Sequence, residues 1–477
     1  MTVLIVGAGP TGLTLACDLA RHGVPFRIVD RAAGVFPGSR AKGLQPRTLE
    51  VFDDLGVLDA VLAGGEPFPE FRLYRGREVL WERSVGEMLG APALSASPAV
   101  PYPQTWLIPQ WRTEQLLHDR LAELGGRVQW NTEILGVAQD SGGVTAYTAD
   151  GEIRADHLVG ADGGHSAVRK ALGVGFAGDT FETERTLIGD LRVDGLDGRY
   201  CHILTGAGDV GQRFSLWNLP GSEYYQFVAS MPADEAPEPT LEEVRRLCRE
   251  RSGRTDIHLY DLRWISLYRV NVRMVDRYRV GRVLLAGDAA HAHSSAGGQG
   301  LNTGVQDAYN LGWKLAAVHG GADPELLETY AAERMPVAAK VLGLSTRLHR
   351  QDFHGGTAPA IHQLDISYRN GPLALDARTA PGALRAGDRA PDGLLPSGGR
   401  LFEAFRGPHP TLLAFDAPPA DLGIPEVPLL ECDGYDVAAG AYVLVRPDGY
   451  IGAISESADV IEKYLRGMTG NQPMPGI

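Results

Sequence analysis

The sequence predicts an α/β protein in which a parallel sheet with a glycine-rich turn is joined to an antiparallel sheet and a small C-terminal unit. A β-branched run from Thr2 to Val6, a glycine turn, a helical stretch from Thr11 to His22 and an apolar run from Phe26 to Asp30 form a strand–helix–strand pattern. This pattern indicates a parallel sheet. Alternating stretches between about residues 176 and 275 are typical of an antiparallel sheet. The composition shifts again beyond about residue 380.

The remaining elements follow from periodicity and turn residues. Leucines at helical spacing predict a helix over Gln110–Leu124, and turn residues such as Ser141–Gly143 predict a meander of short strands after it. The parallel-type pattern resumes at Val283–Ala286 and leads through a glycine-rich loop to a long helix over Leu301–Val318. Near the end of the chain, Ala441–Pro447 predicts a strand that continues through a turn into another strand.

Composition limits the partners and the compartment. The 477 residues suggest roughly three domains, at about 150 residues per domain. A formal net charge of −14 without basic blocks argues against nucleic acid or an anionic membrane as the main partner. No apolar run approaches the about 20 residues of a membrane span, and strand-like residues from Thr2 onward argue against a signal peptide. Four widely spaced cysteines without CxxC favour a reducing compartment, which we expect to be the cytoplasm.

The turn Gly7-Ala8-Gly9-Pro10-Thr11-Gly12 matches the GxGxxG pattern and stands between a predicted strand and a predicted helix. The first glycine of this pattern makes the tight turn, the second lets the backbone approach a pyrophosphate, and the third lets helix and strand pack closely. The helix N-terminus offers N–H groups to the phosphates. Asp30 ends the next strand, where a carboxylate binds ribose hydroxyls. A second match, Gly206–Gly211, precedes a strand-like run rather than a helix, so we interpret it as a hairpin turn.

Two further strand ends carry acidic residues. The apolar run His157–Ala161 is followed by Asp162-Gly163-Gly164, and Val283–Ala286 is followed by Gly287-Asp288. Ligands of parallel sheets bind at the carboxyl ends of strands, where an Asp accepts hydrogen bonds from a polyol. The loop Gly297-Gly298-Gln299-Gly300 then leads into a second helix N-terminus, which stabilises negative charge on a ligand.

In this order and spacing, the motifs resemble those of the flavin-dependent aromatic hydroxylases, the single-component group A monooxygenases, over essentially the whole chain. The DG and GD stretches, with GGQGLNTGVQDAYNLGWKL after the second, are the specific part of the likeness. Within the family, the chain is most similar to the branch of aromatic polyketide hydroxylases that includes rifampicin monooxygenases. The resemblance implies an FAD-binding Rossmann-like fold of the p-hydroxybenzoate hydroxylase type, with an antiparallel β-sheet substrate domain and a C-terminal thioredoxin-like domain.

The resemblance also implies a set of cofactor-binding residues. The ADP half of FAD would be held by Gly7, Gly9, Thr11, Gly12, Asp30 and Arg31, and the flavin cleft would be lined by Arg40 and Gln110. Asp162 would support FAD and nicotinamide binding, and Asp288 would bind the ribityl chain. Gly298 would belong to the loop beside the flavin, and the flavin pyrimidine edge would meet the backbone N–H groups of Leu301 and Asn302. The family usually carries Pro where this chain has Ser295, a difference that concerns the local loop and any substrate analogy.

Taken alone, the same residues also have plainer interpretations. Asp30 would be a surface carboxylate, Asp288 a helix cap and Asp162 a turn former; Arg40 and Gln110 would have surface or capping roles, and Asn302 and Leu301 would be a cap and a core residue. The sequence indicates no catalytic side chain, because in such enzymes the cofactor supplies the chemistry. The pair His291 and His293 suggests metal ligands, but we expect no acidic third ligand nearby and therefore no metal site.

The function that the resemblance implies is an FAD-dependent monooxygenase. It would use NAD(P)H and O2 to hydroxylate a polycyclic aromatic, polyketide-type substrate through a flavin C4a-hydroperoxide. Two alternatives stay open: Baeyer–Villiger-type oxygen insertion on a similar substrate and, from a different class, a non-catalytic FAD-fold binding protein.

The expected domains follow the shifts in pattern. We expect an FAD-binding domain in residues 1–75, 104–175 and 276–380, a substrate-binding middle domain in 76–103 and 176–275, and a thioredoxin-like domain in 381–477. We interpret Ala380–Arg400 as a linker. The C-terminal unit has only Cys432 and no CxxC, which excludes dithiol chemistry. We expect it to pack structurally or to contribute to an interface, such as that of a homodimer.

Overall fold

The computed structural model describes residues 1–89, 94–206, 213–232, 237–293, 298–350, 358–395 and 398–469. In the first of three stretches of chain, the elements are β1 (Val3–Val6), α1 (Pro10–Arg21), β2 (Phe26–Val29), β3 (Gly43–Leu44), α2 (Pro46–Asp54), α3 (Leu58–Ala63), β4 (Glu66–Pro67), β5 (Glu70–Arg75), β6 (Glu78–Arg83), α4 (Val85–Leu89), β7 (Trp106–Leu107), α5 (Gln110–Glu123), β8 (Val128–Gln129), β9 (Gly136–Asp140), β10 (Gly143–Thr148), β11 (Gly151–Ala155), β12 (His157–Gly160) and α6 (Ala167–Ala171).

The second stretch is mainly β-structure and the third begins with two long helices. The second contains β13 (Phe176–Asp194), β14 (Tyr200–Thr205), β15 (Phe214–Asn218), β16 (Tyr224–Met231), α7 (Leu241–Ser252), β17 (His258–Val275), β18 (Arg279–Val280), β19 (Val283–Leu285) and β20 (His291–Ala292). The third contains α8 (Gly300–His319), α9 (Glu328–Arg350), β21 (Leu375–Asp376), α10 (Leu401–Phe405), β22 (Thr411–Phe415), β23 (Glu426–Leu429), β24 (Ala441–Val445), β25 (Ile451–Ser455) and α11 (Ala458–Thr469).

A six-stranded sheet forms the first layer, in the order β18-β19-β12-β1-β2-β8. All its neighbours pair in parallel except β18 and β19. The strand–helix–strand prediction is confirmed, with α1 connecting β1 to β2. Because the strands are parallel, the carboxyl ends of β1, β2, β12 and β19 lie along one edge. This edge carries the predicted glycine turn and the three predicted acidic residues.

An eight-stranded sheet forms the second layer, in the order β20-β17-β13-β16-β15-β14-β5-β6. Its strands are antiparallel neighbours except β14 and β5, which run parallel. This sheet confirms the antiparallel pattern predicted for residues 176–275, and it also takes in β5, which lies within the expected first segment 1–75. The strands β14 and β15, on either side of the second GxGxxG match, pair as antiparallel neighbours. The match itself lies largely outside the described residues.

The C-terminal sheet has the order β21-β25-β24-β22-β23. A parallel β22–β23 pair is followed by the β24–β25 hairpin and then by α11, a thioredoxin-like arrangement. The predicted strand–turn–strand near the end of the chain is thereby confirmed. The interpretation of Ala380–Arg400 as a linker is wrong for residues 389–393, which are buried. They are held because the Arg389 guanidinium donates hydrogen bonds to the Glu50 carboxylate on α2.

In the part of the chain that the structure describes, no helix combines the length and apolar character needed to cross a membrane.

Candidate active site

A cavity of about 2180 Å³ lies between the carboxyl edge of the six-stranded sheet and the face of the eight-stranded sheet. Gly7, Asp162 and Asp288 line it from the first sheet, and Trp217 and Gln226 line it from the second. A typical pocket for one ligand has about 300–1,000 Å³. The cavity is therefore large enough for two ligands side by side.

The glycine turn after β1 has the geometry that a pyrophosphate needs. Gly7 has φ +107°, and a Cβ there would lie 2.3 Å from the Ala161 carbonyl oxygen. A Cβ on Gly12 would lie 1.9 Å from the Gly7 carbonyl oxygen. Both positions therefore exclude any side chain. A Cβ on Gly9 would meet no atom within 4 Å, because Gly9 borders the cavity, and this is the place where a phosphate can approach the backbone.

Asp30 fixes the glycine turn to the end of β2. Its Oδ2 accepts a hydrogen bond from the Ala8 N–H at 2.7 Å, and its Oδ1 accepts one from the Ala32 N–H at 2.8 Å. The helix α1 begins without a side-chain cap, so the N–H groups of its first turn remain available to a ligand. Arg31 follows as an exposed residue on the cavity wall.

Asp162 and Asp288 occupy two other strand ends of the same edge. Asp162 Oδ2 accepts hydrogen bonds from the N–H groups of Ala167 and Val168, at the start of α6, while its Oδ1 is buried without a partner. Asp288 lies in a 3-10 turn and makes no hydrogen bond with the described residues. Its side chain is open to the cavity, yet the dense surroundings raise its pKa by desolvation. Such an acid favours a ligand that supplies hydroxyl donors.

The start of α8 forms another part of the wall. This helix also lacks a side-chain cap, and its first recorded backbone bond runs from the Thr303 N–H to the Gln299 carbonyl at 2.9 Å. The N–H groups of residues 300–302 precede that bond and remain available. The Asn302 side chain points elsewhere: its Oδ1 accepts from the Gln45 N–H at 2.8 Å, and its Nδ2 donates to the Gly43 carbonyl at 2.9 Å.

Gln110 links the loop around Arg40 to α5. Its Oε1 accepts hydrogen bonds from the N–H groups of Arg40 and Ala41, at 3.2 and 3.0 Å, and its Nε2 donates to Glu114 at 2.8 Å. The Arg40 guanidinium is exposed and lies 5.1 Å from the centre of the Phe36 ring. Burial raises the pKa of Glu114 to about 7. Sequence reasoning missed Glu114, although it stands one helical turn after Gln110.

Behind the turn that carries Asp288 lies a buried polar chain. His291 Nε2 lies 2.6 Å from Asp307 Oδ2, and its Nδ1 lies 2.8 Å from His293 Nε2. Arg334 Nε donates to Asp307 Oδ1 at 2.7 Å. Although burial opposes ionisation, His291 and Arg334 hold the pKa of Asp307 below its ordinary value.

From the sequence we expect no acidic third metal ligand near the two histidines; α8 brings Asp307 to His291, where the two side chains are hydrogen-bond partners. Asp307 also accepts a hydrogen bond from the Gly287 N–H at 3.1 Å, which positions the turn of Asp288. Within the described residues, no group of three or more His, Cys, Asp or Glu side chains is arranged to hold a metal ion.

The predicted site residues are brought largely together. The residues that line the cavity are Gly7, Gly9, Thr11, Asp30, Arg31, Arg40, Gln110, Asp162, Asp288, Gly298 and Leu301. Gly12 and Asn302 lie just behind the wall, where they hold the glycine turn and the α8 start in place. Ser295 lies outside the described residues.

The second part of the cavity is lined mainly by apolar and aromatic side chains. Phe71 lies edge-on to Trp217, with ring centres 5.0 Å apart, and Phe68 lies edge-on to the same indole at 5.9 Å. Ile188 and Ile203 add aliphatic surface from the eight-stranded sheet. This wall suits a flat apolar ligand, and sequence reasoning found none of its members because they come from distant strands.

Together, fold and site define a class: a dinucleotide-binding enzyme of Rossmann type. The glycine turn, the acid after β2 and the open α1 N-terminus fit an ADP group, and the unpartnered Asp288 and open α8 N-terminus fit the remainder of FAD. Residues 1–345 match the FAD binding domain family, and the chain belongs to this family.

Known proteins that are similar to this chain in sequence or structure are consistent with this assignment. The chain is 60% identical to a flavin-dependent monooxygenase of Mycobacteroides abscessus, over 98% of this chain and 99% of the relative. It is 39% identical to a rifampicin monooxygenase of Streptomyces venezuelae, over 71% and 69%. A crystal structure of aklavinone-11 hydroxylase with FAD and aklavinone superimposes with a TM-score of 0.83 at 27% identity, covering 98% of both chains.

The predicted resemblance to the flavin-dependent hydroxylases, the fold type and the cofactor FAD are thus confirmed, and the protein is an FAD-dependent monooxygenase. The alternative of a non-catalytic binding protein is not supported.

Proposed function

We propose that this protein hydroxylates a polycyclic aromatic, polyketide-type substrate at the expense of NAD(P)H and O2. The observation that carries the proposal is the cavity in two parts. One part has the glycine turn and Asp288 that suit FAD, and the other continues into the wall of Phe68, Phe71 and Trp217. Relatives named for rifampicin and a structure with bound aklavinone support a large fused-ring substrate.

The chain's own residues bind and orient the reactants. The glycine turn and Asp30 would hold the ADP half of FAD, Asp288 would accept hydrogen bonds from the ribityl hydroxyls, and the α8 N-terminus would stabilise negative charge on the flavin. Bound FAD supplies the activation of O2 and its transfer to the ring. The aromatic wall would hold the substrate ring beside the flavin and keep water away from it.

NAD(P)H must reach the flavin without a dinucleotide fold of its own. The described residues contain one strand–helix–strand unit with a GxGxxG turn, and FAD occupies it in this proposal. The nicotinamide would therefore dock transiently at the open side of the cavity, where Arg31 and Arg40 are exposed.

The test is product analysis with isotopically labelled oxygen. Purified holoenzyme, NAD(P)H and 18O2 are incubated with aklavinone, rifampicin or anhydrotetracycline, and the products are examined by mass spectrometry. We expect one product that gains a single 18O atom as a ring hydroxyl. Insertion of the oxygen next to a carbonyl would instead indicate Baeyer–Villiger chemistry on a similar substrate. NAD(P)H consumption that yields only hydrogen peroxide with all three compounds would contradict the proposal.

A further inference from the structure

Lys42 stands at the junction of the two parts of the cavity. Its carbonyl accepts a hydrogen bond from the Ile108 N–H at 2.8 Å, which fixes the start of the side chain. The ammonium donates to Gln226 Oε1 and lies 3.8 Å from the centre of the Trp217 ring. Gln226 in turn donates through Nε2 to the Ser39 carbonyl, so its oxygen stays directed at Lys42.

This ammonium has no carboxylate within salt-bridge distance among the described residues. A second buried lysine, Lys314, shows the usual arrangement: its Nζ lies 2.7 Å from Glu333 and 2.9 Å from Asn310 Oδ1. Burial lowers the pKa of both lysines to about 8. Buried charges are normally paired, and only Lys42 of these two lines a cavity from which an anion can arrive.

The neighbouring indole of Trp217 supplies an aromatic face beside Lys42. Trp217 Nε1 is buried and has no hydrogen-bond acceptor, whereas buried indole N–H groups usually find one. The Trp217 ring also forms part of the aromatic wall with Phe68 and Phe71. The Lys42 ammonium, which donates to Gln226 but has no carboxylate within salt-bridge distance among the described residues, therefore stands beside a surface that suits a flat ring.

We propose that Lys42 binds the ionised hydroxyl oxygen of the aromatic substrate, whose ring packs against the aromatic wall that includes Trp217. The substrate would accordingly be an acidic phenol or enol, which deepens the proposed function and rests on it. On binding, the O–H bond breaks heterolytically, the proton passes to solvent, and the electron pair stays on oxygen. The resulting negative charge raises the electron density of the ring carbons that accept the new oxygen atom.

The charges around Lys42 set the expected pH dependence. Asp190 on β13 and Cys201 on β14 face Lys42, Asp190 also faces Arg263 on β17, and Glu66 on β4 faces Cys201. Burial raises the pKa of Asp190 to about 7 and that of Cys201 to about 12. Because the pKa of Lys42 is about 8, the free site loses its charge above that pH, and affinity for a phenolate should fall there.

The experiment uses 2-hydroxyanthraquinone as the probe and its methyl ether as the non-ionisable counterpart. Both are titrated into FAD-loaded protein without NAD(P)H, and difference spectra report the phenolate band between pH 5 and pH 10. In the wild type, the bound probe should ionise at a pH about one unit or more below that of the free probe. Lys42→Met should abolish this effect and weaken probe binding about tenfold or more. Binding of the methyl ether should change less than about twofold.

Two further variants test whether the charge at position 42 is responsible for phenolate binding. Lys42→Arg should retain phenolate binding and should lose the decline above pH 8, because arginine stays charged. Lys463→Met, on an exposed part of α11, should behave as the wild type in all measurements. Equal ionisation of the probe in wild type and Lys42→Met would overturn the proposal. So would equal losses for probe and ether, loss of FAD in place of probe, or failure of the wild type to bind either compound. None of these readouts requires turnover, so they are independent of the 18O2 test.

Discussion

At the scale of single residues, several polar atoms along the cavity have no hydrogen-bond partner among the described residues. Asp288 has no hydrogen bond with the described residues, and Asp162 Oδ1 and Trp217 Nε1 are buried without partners. Folded proteins satisfy the large majority of their buried polar groups. The two buried exceptions, together with the exposed and unpartnered Asp288, therefore lie where we expect a bound molecule to supply hydrogen-bond partners.

Replacing Asp288 with Ala should weaken FAD binding about 10- to 100-fold, because each charge-assisted hydrogen bond contributes about 1.5–3 kcal/mol. Desolvation by the surrounding protein raises the pKa of Asp288, which means that the folded protein disfavours its charge. The substitution should therefore leave the unfolding temperature of the flavin-free protein unchanged or slightly raised. Quenching of flavin fluorescence measures the first effect, and thermal unfolding of the apoprotein measures the second.

A surface aspartate provides the comparison for Asp288. Asp276 is exposed and bonds to the adjacent Arg277, so Asp276→Ala should bind FAD like the wild type. Undiminished FAD affinity in Asp288→Ala, or an equal loss in both variants, would contradict the assigned role.

Residues of the site differ in how far the sequence reveals them. Asp30 and Asp288 each follow a strand within a recognisable motif, so their position at the sheet edge could be predicted. Lys42 and Asp307 could not, because their roles depend on partners from other elements. Trp217 reaches Lys42 from β15, and Arg334 reaches Asp307 from α9.

At the scale of secondary structure, glycines let α1 and α8 approach closely. A Cβ on Gly312 would lie 2.0 Å from Asp18 Oδ2, and one on Gly304 would lie 2.4 Å from Thr11 Oγ1. Asp18 is held in place by Arg21, whose Nε donates to Asp18 Oδ1 at 2.7 Å. This contact keeps both helix N-termini, which border the cavity, at a fixed separation.

Gly312→Ala should therefore destabilise the protein by about 1–3 kcal/mol, the usual effect of overpacking, despite the about 1 kcal/mol that Ala gains over Gly inside a helix. Chemical denaturation measures the difference. Gly320→Ala is the matched control at the end of the same helix, because its φ is −74° and a Cβ would lie 3.4 Å from its nearest atom. Equal stability of the two variants would show that the helices separate easily.

Elements with a local signal could be predicted closely, and those that depend on distant pairing could not. The predicted helix Thr11–His22 is observed as Pro10–Arg21, and Leu301–Val318 as Gly300–His319. The hydrophobic period and the flanking glycines suffice there. The strand Glu70–Arg75, in contrast, joins the eight-stranded sheet by pairing with Tyr200–Thr205. No local sequence pattern indicates that these two strands pair.

At the scale of the whole molecule, buried ion pairs fasten the C-terminal sheet to the long helices. Arg446, which follows β24, donates to Glu333 Oε1 on α9 at 2.5 Å and to Asp448 Oδ1 at 2.9 Å. Lys314 on α8 donates to the same Glu333 carboxylate at 2.7 Å. Two positive and two negative side chains thus balance in a region that water does not reach. The unit without CxxC thus packs against the long helices, and its purely structural role stays a prediction.

Arg446→Met should lower stability by about 3–5 kcal/mol, because it leaves Glu333 and Asp448 buried with only Lys314 to balance them. The double variant Arg446→Met/Glu333→Gln restores one cation to one anion and should recover part of the loss. Arg466→Met, which removes an exposed pair with Glu462 on α11, should cost less than about 1 kcal/mol.

Thermal unfolding of the holoenzyme, with FAD release followed in the same scan, compares the three variants. If these charges fasten the C-terminal sheet to α8 and α9, FAD release and unfolding should shift together in Arg446→Met. Equal unfolding temperatures for Arg446→Met and Arg466→Met would mean that the apolar contacts of the C-terminal sheet hold it without the ion pairs.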